Sequence, residues 1–208
     1  MALDNFSNLK ASILEWSKRD DMEPTVEDFI SIAESEMYSN SVAPILVRSM
    51  ENRAQATTTT TTRFLALPTD FLLMRKLSIN TSNGNEDVTF MAPELMAVNG
   101  TSGQPKFFTV TSQLEFDVTP DSAYTVEMSY LSKLTPLSDA SPTNSILTNT
   151  PTVYLYGGLW ALFQNIHEPD MAEYYYAKFI SAIQGANKRD QQGRYGPAPK
   201  MRIEGATP

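Results

Sequence analysis

The sequence contains no cysteine and only one histidine, His167. The first absence excludes a disulfide framework, a thiolate metal site and a cysteine nucleophile. The second excludes a multi-histidine metal site within one chain. The opening MALDNFSNLK lacks a basic segment followed by an apolar run. Neither a signal peptide nor a transmembrane segment is expected, and the chain reads as one made in, and staying in, a cytosol or something assembled there. No GxSxG, P-loop, HExxH or GxGxxG pattern occurs, and Gly157-Gly158 has the wrong spacing for a phosphate loop. Placing Gly84 of NTSNGNED at the invariant glycine of a calcium loop puts Ile79 and Phe90 at its end ligand positions, which excludes an EF-hand.

What the chain does have is an apolar helix and uneven charge. From Thr150 to Ile166, Leu155, Leu159, Leu162 and Ile166 recur at helical spacing, and Tyr156, Trp160 and Phe163 cover a second face. A helix apolar nearly all the way round is a core helix. Pro151 suits its first turn, with Thr150 or Thr152 as cap. The net charge is −8. Residues 1–36 carry nine acids against three bases, whereas residues 188–208 carry five bases against two acids. An acidic body with a basic tail argues against gripping nucleic acid by its phosphates and suits docking on an acidic partner.

The remaining pattern is helical at both ends and strand-like between. Phe6, Leu9, Ile13 and Trp16 predict a helix over 4–19, capped by Asp4 or Asn5. Thr25-Val-Glu-Asp28 has the form of a capping box for a second helix ending near Tyr38–Ser41, and Pro44 opens a short helical turn over Ile45–Arg48. The threonines Thr57–Thr62 read as strand and hairpin. Strands are expected at Leu73–Ile79, Val88–Phe90, Lys106–Val110, Leu114–Val118 and Ala123–Tyr130, with a hairpin turn at Asn83-Gly84 and a short helix over Pro93–Val98. Residues 132–150 read as an irregular connection, and a last helix starts near Asp170.

The expected fold class is α+β: a helical bundle built from both chain ends, an inserted antiparallel β-sandwich or barrel, and an extended C-terminal tail. Its parts are 1–49 and 132–189 (helical), 50–131 (β-rich) and 190–208 (tail).

Few residues point to chemistry. His167 reads as a polar residue near a helix C-terminus rather than a general base, and the acid pairs Asp20/Asp21 and Glu34/Glu36 read as solvated surface. No catalytic, cofactor or metal residues are assigned and no cofactor is expected. The tail is the candidate binding segment, through Arg194, Tyr195, Lys200, Met201, Arg202 and Ile203. Spaced cations and apolar anchors on a Pro-rich backbone suit a segment that orders on a partner.

Several segments in order carry a resemblance. Ala66-Leu67-Pro68-Thr-Asp70-Phe71-Leu72 is followed by Arg75 and Leu77, then Gly103-Gln-Pro105-Lys-Phe-Phe, Leu114-Glu-Phe and Pro120-Asp121. Pro142-Thr-Asn144, Leu147-Thr148, Pro151 and Tyr154-Leu-Tyr-Gly157 complete the set. Together they resemble the head-to-tail adaptor (connector) proteins of tailed bacteriophages, similar to the tail tubular protein A or gatekeeper proteins of short-tailed phages. The resemblance implies a non-enzymatic virion protein at the head–tail junction, present in the host cytoplasm during assembly. It implies a ring, commonly a dodecamer, beneath the portal protein, joined below to a tail or nozzle protein. Double-stranded DNA would pass through the lumen without sequence-specific binding, and no membrane is involved. Acids in residues 1–36 or on the β-rich part would line that lumen, and the C-terminal tail would engage the portal. The competing reading is a tail component whose β-rich insert binds host-surface carbohydrate through aromatics such as Phe107 and Phe108.

Overall fold

The computed structural model describes residues 3–82, 84–96 and 101–195. The fold is α+β, with helices and a curled, mostly antiparallel sheet. The chain divides into two compact units, one formed by Met1–Ser49 with Leu134–Pro208 and the other by Met50–Lys133.

In the first unit, α1 (Phe6–Ser17) starts where the Asn5 side chain accepts the Asn8 N–H at 2.9 Å. This is an ordinary N-cap. A 3₁₀ segment follows over Asp20–Thr25 and leads into α2 (Val26–Ser39). The expected capping box does not form. Thr25 has near-helical backbone angles, and its hydroxyl donates to the Met22 carbonyl at 3.1 Å instead of facing the helix N–H groups. The helical turn expected at Ile45–Arg48 lies later, as a 3₁₀ turn at Arg48–Met50. The stretch before it forms no helix because its backbone bonds to other elements, as when the Ile45 N–H donates to the Met37 carbonyl at 2.9 Å. Within the connection expected to be irregular there is a short helix, α3 (Ser145–Asn149), capped by Asn144, whose side chain accepts the Leu147 N–H at 3.0 Å.

The apolar helix is α4 (Pro151–Asn165), with Pro151 in its first turn. It packs against α1, α2, α3 and α5 (Pro169–Tyr195). Val153, Leu155, Leu159 and Leu162 are buried, as are Ile13 of α1, Ala33 of α2 and Phe179 of α5. Two glycines make the close approach. A Cβ on Gly157 would lie 2.8 Å from the Ala33 Cβ and 2.9 Å from the Phe179 ring, and one on Gly158 would lie 2.5 Å from Ile13 Cδ1. Gly157-Gly158 is therefore a packing device. α4 ends in a Schellman motif: His167 takes a left-handed φ of 60°, its N–H donates to the Gln164 carbonyl, and the Glu168 N–H donates to the Phe163 carbonyl. α5 runs on to Tyr195, so residues 190–195 are helical rather than part of an extended tail.

The second unit holds β1 (Glu51–Thr57), β2 (Phe64–Leu65), β3 (Phe71–Thr81), β4 (Gly84–Phe90), β5 (Ser102–Gly103), β6 (Phe107–Val110), β7 (Leu114–Phe116), β8 (Thr119–Pro120) and β9 (Thr125–Ser132). Seven of them form one sheet in the order β1-β9-β3-β4-β6-β7-β2, and β5 pairs with β8 apart from it. The β4–β6 pair is parallel, which departs from the antiparallel expectation. Alternate residues of nearly every strand face one cluster: Leu77 and Ile79, Val88, Phe108, Leu114 and Phe116, and Val126, Met128 and Tyr130 are all buried in it. Ala54 and Ala56 of β1 and Leu65 of β2 pack on the same cluster, so the two ends of the strand order share one core. The sheet must curl to achieve this, since its apolar face needs a cover.

The threonine tract is only marginally a strand. β1 ends at Thr57, opposite Thr125; Thr58 still bonds to Tyr124, its N–H donating to the Tyr124 carbonyl at 2.9 Å, and the threonines after it form a loop. Thr81 pairs with Gly84, whose φ of +112° favours glycine at the expected hairpin. Asn83, residues 97–100 of the expected helix and loop, and residues 196–208 of the expected tail lie outside the described residues.

Candidate functional site

Buried polar groups, clefts and exposed apolar surface are where functional sites concentrate. In the helical unit the polar groups serve attachment. Glu34 of α2 reaches the segment that precedes α3: its carboxylate accepts the Leu137 N–H at 2.9 Å and the Tyr154 hydroxyl at 3.0 Å. Asn144 Nδ2 donates to the same hydroxyl at 2.6 Å, and Tyr38 accepts the Leu134 N–H at 3.1 Å. Burial raises the Glu34 pKa above the usual carboxylate value, opposed by its two donors. Burial also raises Tyr38 and Tyr154, each pushed further by the nearby Glu34 charge. Glu34 is therefore not solvated surface. Glu36 belongs to a separate network with Asn40 and Tyr176, and Asp21 is bound by Arg19 at 2.8 Å, so neither acid pair shares a reacting centre.

A second constellation surrounds the C-terminal half of α5. Asn187 Oδ1 accepts the Leu46 N–H at 2.8 Å while its Nδ2 donates to the Pro44 carbonyl at 2.9 Å. Asp190 accepts the Arg48 N–H at 2.8 Å. Arg189 donates to the Asn149 carbonyl at 2.7 Å and to Thr150 Oγ1 at 2.8 Å, placing a cation at the C-terminus of α3. These groups border a cleft of about 410 Å³ whose wall includes Ile45, Ser49, Ser145, Ala186 and Gly193. Arg194 lies on the last turn of α5, one residue beyond that wall. Tyr195 closes the helix, and Lys200, Met201, Arg202 and Ile203 lie outside the described residues.

The same unit has an aromatic strip. Trp16 lies 6.5 Å from Tyr156, Tyr156 lies 6.4 Å from Tyr175, and Tyr175 lies 5.1 Å from Tyr174, between ring centroids. Trp16 and Tyr174 remain 52% and 53% exposed, so both ends of the strip reach solvent while its middle, Tyr156 and Tyr175, is half-buried to buried. Sequence reading missed Trp16, because its helical spacing with Phe6, Leu9 and Ile13 reads as core.

In the β-rich unit, Phe108 is buried and Phe107 is half-buried. This removes Phe108 from the exposed aromatics invoked for carbohydrate binding; Phe90, edge-on to Phe108 at 5.7 Å, and Phe64 are exposed. Among the described residues there is no cluster of His, Asp and Glu able to hold a metal ion. No helix among them is long and apolar enough to cross a membrane.

These arrangements can hold surfaces together and offer surfaces to others, which is the chemistry of an assembly subunit. No curated protein matches the chain. The family described as SU10 adaptor protein matches residues 4–201, nearly the whole chain, and the chain belongs to that family of structural phage adaptors.

Proposed function

We propose that this chain is a head-to-tail adaptor that forms a ring, in the dodecameric form of such connectors, beneath the portal, and joins the portal to a tail or nozzle protein. The family match over residues 4–201 carries this reading. Three features support it. The exposed ends of the aromatic strip, Trp16 and Tyr174, suit a subunit that buries more surface on assembly. The net charge of −8 suits a lumen that repels DNA phosphates and lets the duplex slide. Asp4, Glu15, Asp20, Asp21, Glu23, Glu27 and Asp28 are exposed, so they rather than Glu34 are the acids of residues 1–36 for that lumen. The basic tail, from Arg194 through Lys200, Met201, Arg202 and Ile203, engages the portal.

The test mixes the protein with its portal and images the product by electron microscopy, with full-length chain and with a chain ending at Tyr195. That end point keeps Asp190 and its bond to the Arg48 N–H, which an earlier cut would remove. Full-length protein adds a ring-shaped layer, and the shortened chain does not. A portal that gains no layer overturns the adaptor reading. A layer that survives shortening overturns the assignment of Lys200, Met201, Arg202 and Ile203 alone, and a lumen lined by Lys and Arg overturns the role given to the acids.

A further inference from the structure

The open feature of the β-rich unit is a split inside its sheet. β3 pairs with β9 from Phe71 to Asn80, but with β4 only from Leu77 onward. Beyond Val88, β4 leaves β3 and pairs in parallel with β6, Thr89 with Phe107 and Phe90 with Phe108. The register of β3 on β9 shifts twice in this same stretch, between Phe71 and Leu73 and between Met74 and Lys76. Such bulges bend a strand and increase its twist, which swings the first half of β3 away from β4. Among the described residues, no strand pairs with Phe71–Lys76 on the side opposite β9.

A groove of about 390 Å³ occupies the split, lined by the consecutive residues Phe71–Arg75 and by Phe90, Phe108 and Val110 across from them. Five consecutive residues of one strand line a groove only if it follows the strand's edge, since side chains alone alternate between faces. The groove therefore offers main-chain hydrogen-bonding groups along one wall and apolar side chains around them. Leu73 and Phe90 at its mouth are 47% and 57% exposed. Lys76 is held by Asp87 at 2.8 Å, whereas Arg75 has no carboxylate within ion-pair distance among the described residues.

We infer that this split docks an extended segment of a partner protein as an added strand on β3, with alternate apolar side chains in the groove and a carboxylate facing Arg75. Strand addition satisfies the open edge, and pockets at alternate positions select the segment. The unopposed guanidinium selects acidic over basic segments. A second copy of this chain is the poorer fit. The long edge strand β1 has only alanines as its apolar residues, too small to fill the groove. The inference does not rest on the ring, and its failure leaves the adaptor reading untouched.

The test uses the full chain and a short peptide of alternating valine and threonine with one central glutamate, capped at both ends, beside the same peptide with lysine in that position. Hydrogen exchange is followed by mass spectrometry on fragments covering residues 71–76. The glutamate peptide slows exchange by about tenfold at saturation at those amides that point away from β9, in line with one added backbone bond on each of them, and the lysine peptide does so less. Arg75→Glu, an exposed change, reverses the preference, and Phe90→Ala weakens both. Unchanged exchange at millimolar peptide, protection on β1 instead, or a preference indifferent to Arg75→Glu overturns the inference. Protection of residues 71–76 that rises with protein concentration alone overturns it in favour of a second copy.

Discussion

Glu34 shows how one side chain holds a connection in place. It is the acceptor for both the Leu137 N–H and the Tyr154 hydroxyl, so it ties the run before α3 to α2 and α4. Glu34→Ala leaves two donors without their acceptor, and a buried unmatched donor costs about 1–3 kcal/mol. Urea unfolding should show a loss within that range, while an unchanged midpoint would mean the run is held by Tyr38 and Asn144 alone. Glu34→Gln keeps a carbonyl oxygen and removes the charge, which isolates the effect of pH. Burial raises the folded carboxyl pKa, so the folded state binds its proton more tightly than the unfolded state. The contribution of Glu34 to stability is then greatest below the ordinary carboxyl value and falls as pH rises through the raised one. The wild type should gain on Glu34→Gln as pH falls from neutrality toward the ordinary carboxyl value. A gap between the two proteins that stays constant with pH would show that the charge is not penalised.

At the scale of the element, α4 is central because its two glycines let three helices approach. Gly157→Ala gains about 1 kcal/mol of helix propensity. It also forces a methyl against the Ala33 Cβ and the Phe179 ring, and overpacking costs about 1–3 kcal/mol. Neither Ala33 nor the stacked Phe179–Trp160 pair has an easy way to yield, so thermal unfolding of Gly157→Ala should begin below wild type. Gly158→Ala meets only the end of Ile13, and trimming that end should recover stability in Ile13→Val/Gly158→Ala. If both single variants are more stable than wild type, the close approach is not what the glycines provide. The leucines of α4 were legible because helical burial has a period. The glycines were not, because their reason lies on other helices. The same limit hid the loop at Thr59–Thr62, where β propensity was present but a partner strand was not. It hid the parallel β4–β6 pair, since alternation carries no strand direction. α3 had a signal in the cap spacing of Asn144 and Leu147, outweighed by the Pro, Thr and Asn around it. Of the candidate sites, the basic tail was visible in composition, whereas the β3 groove depends on where two strands part company, which no local pattern records.

For the whole molecule, the β-rich unit is one uninterrupted stretch and the helical unit is made from two. Within the β-rich unit the first and last long strands are neighbours, with Glu51 opposite Leu131, and the Ser132 hydroxyl donates to the Met50 carbonyl at 3.1 Å. Its ends therefore leave side by side, the arrangement in which an inserted domain disturbs its host least. It also has a core of its own, from Leu77 to Tyr130, to which almost every strand of the sheet contributes. A fragment of residues 50–133 should therefore fold alone, giving dispersed amide resonances and a cooperative urea transition. The helical unit should behave differently, because α4 covers Ile13 and Ala33 from one segment and Phe179 from the other. Residues 1–49 alone should be largely unfolded, and adding residues 134–208 in trans should restore helical circular dichroism beyond the sum of the two pieces. An unfolded 50–133 fragment would show that the sheet depends on the helical unit. Additive spectra for the mixed pieces would show that the two segments do not share one cooperative core.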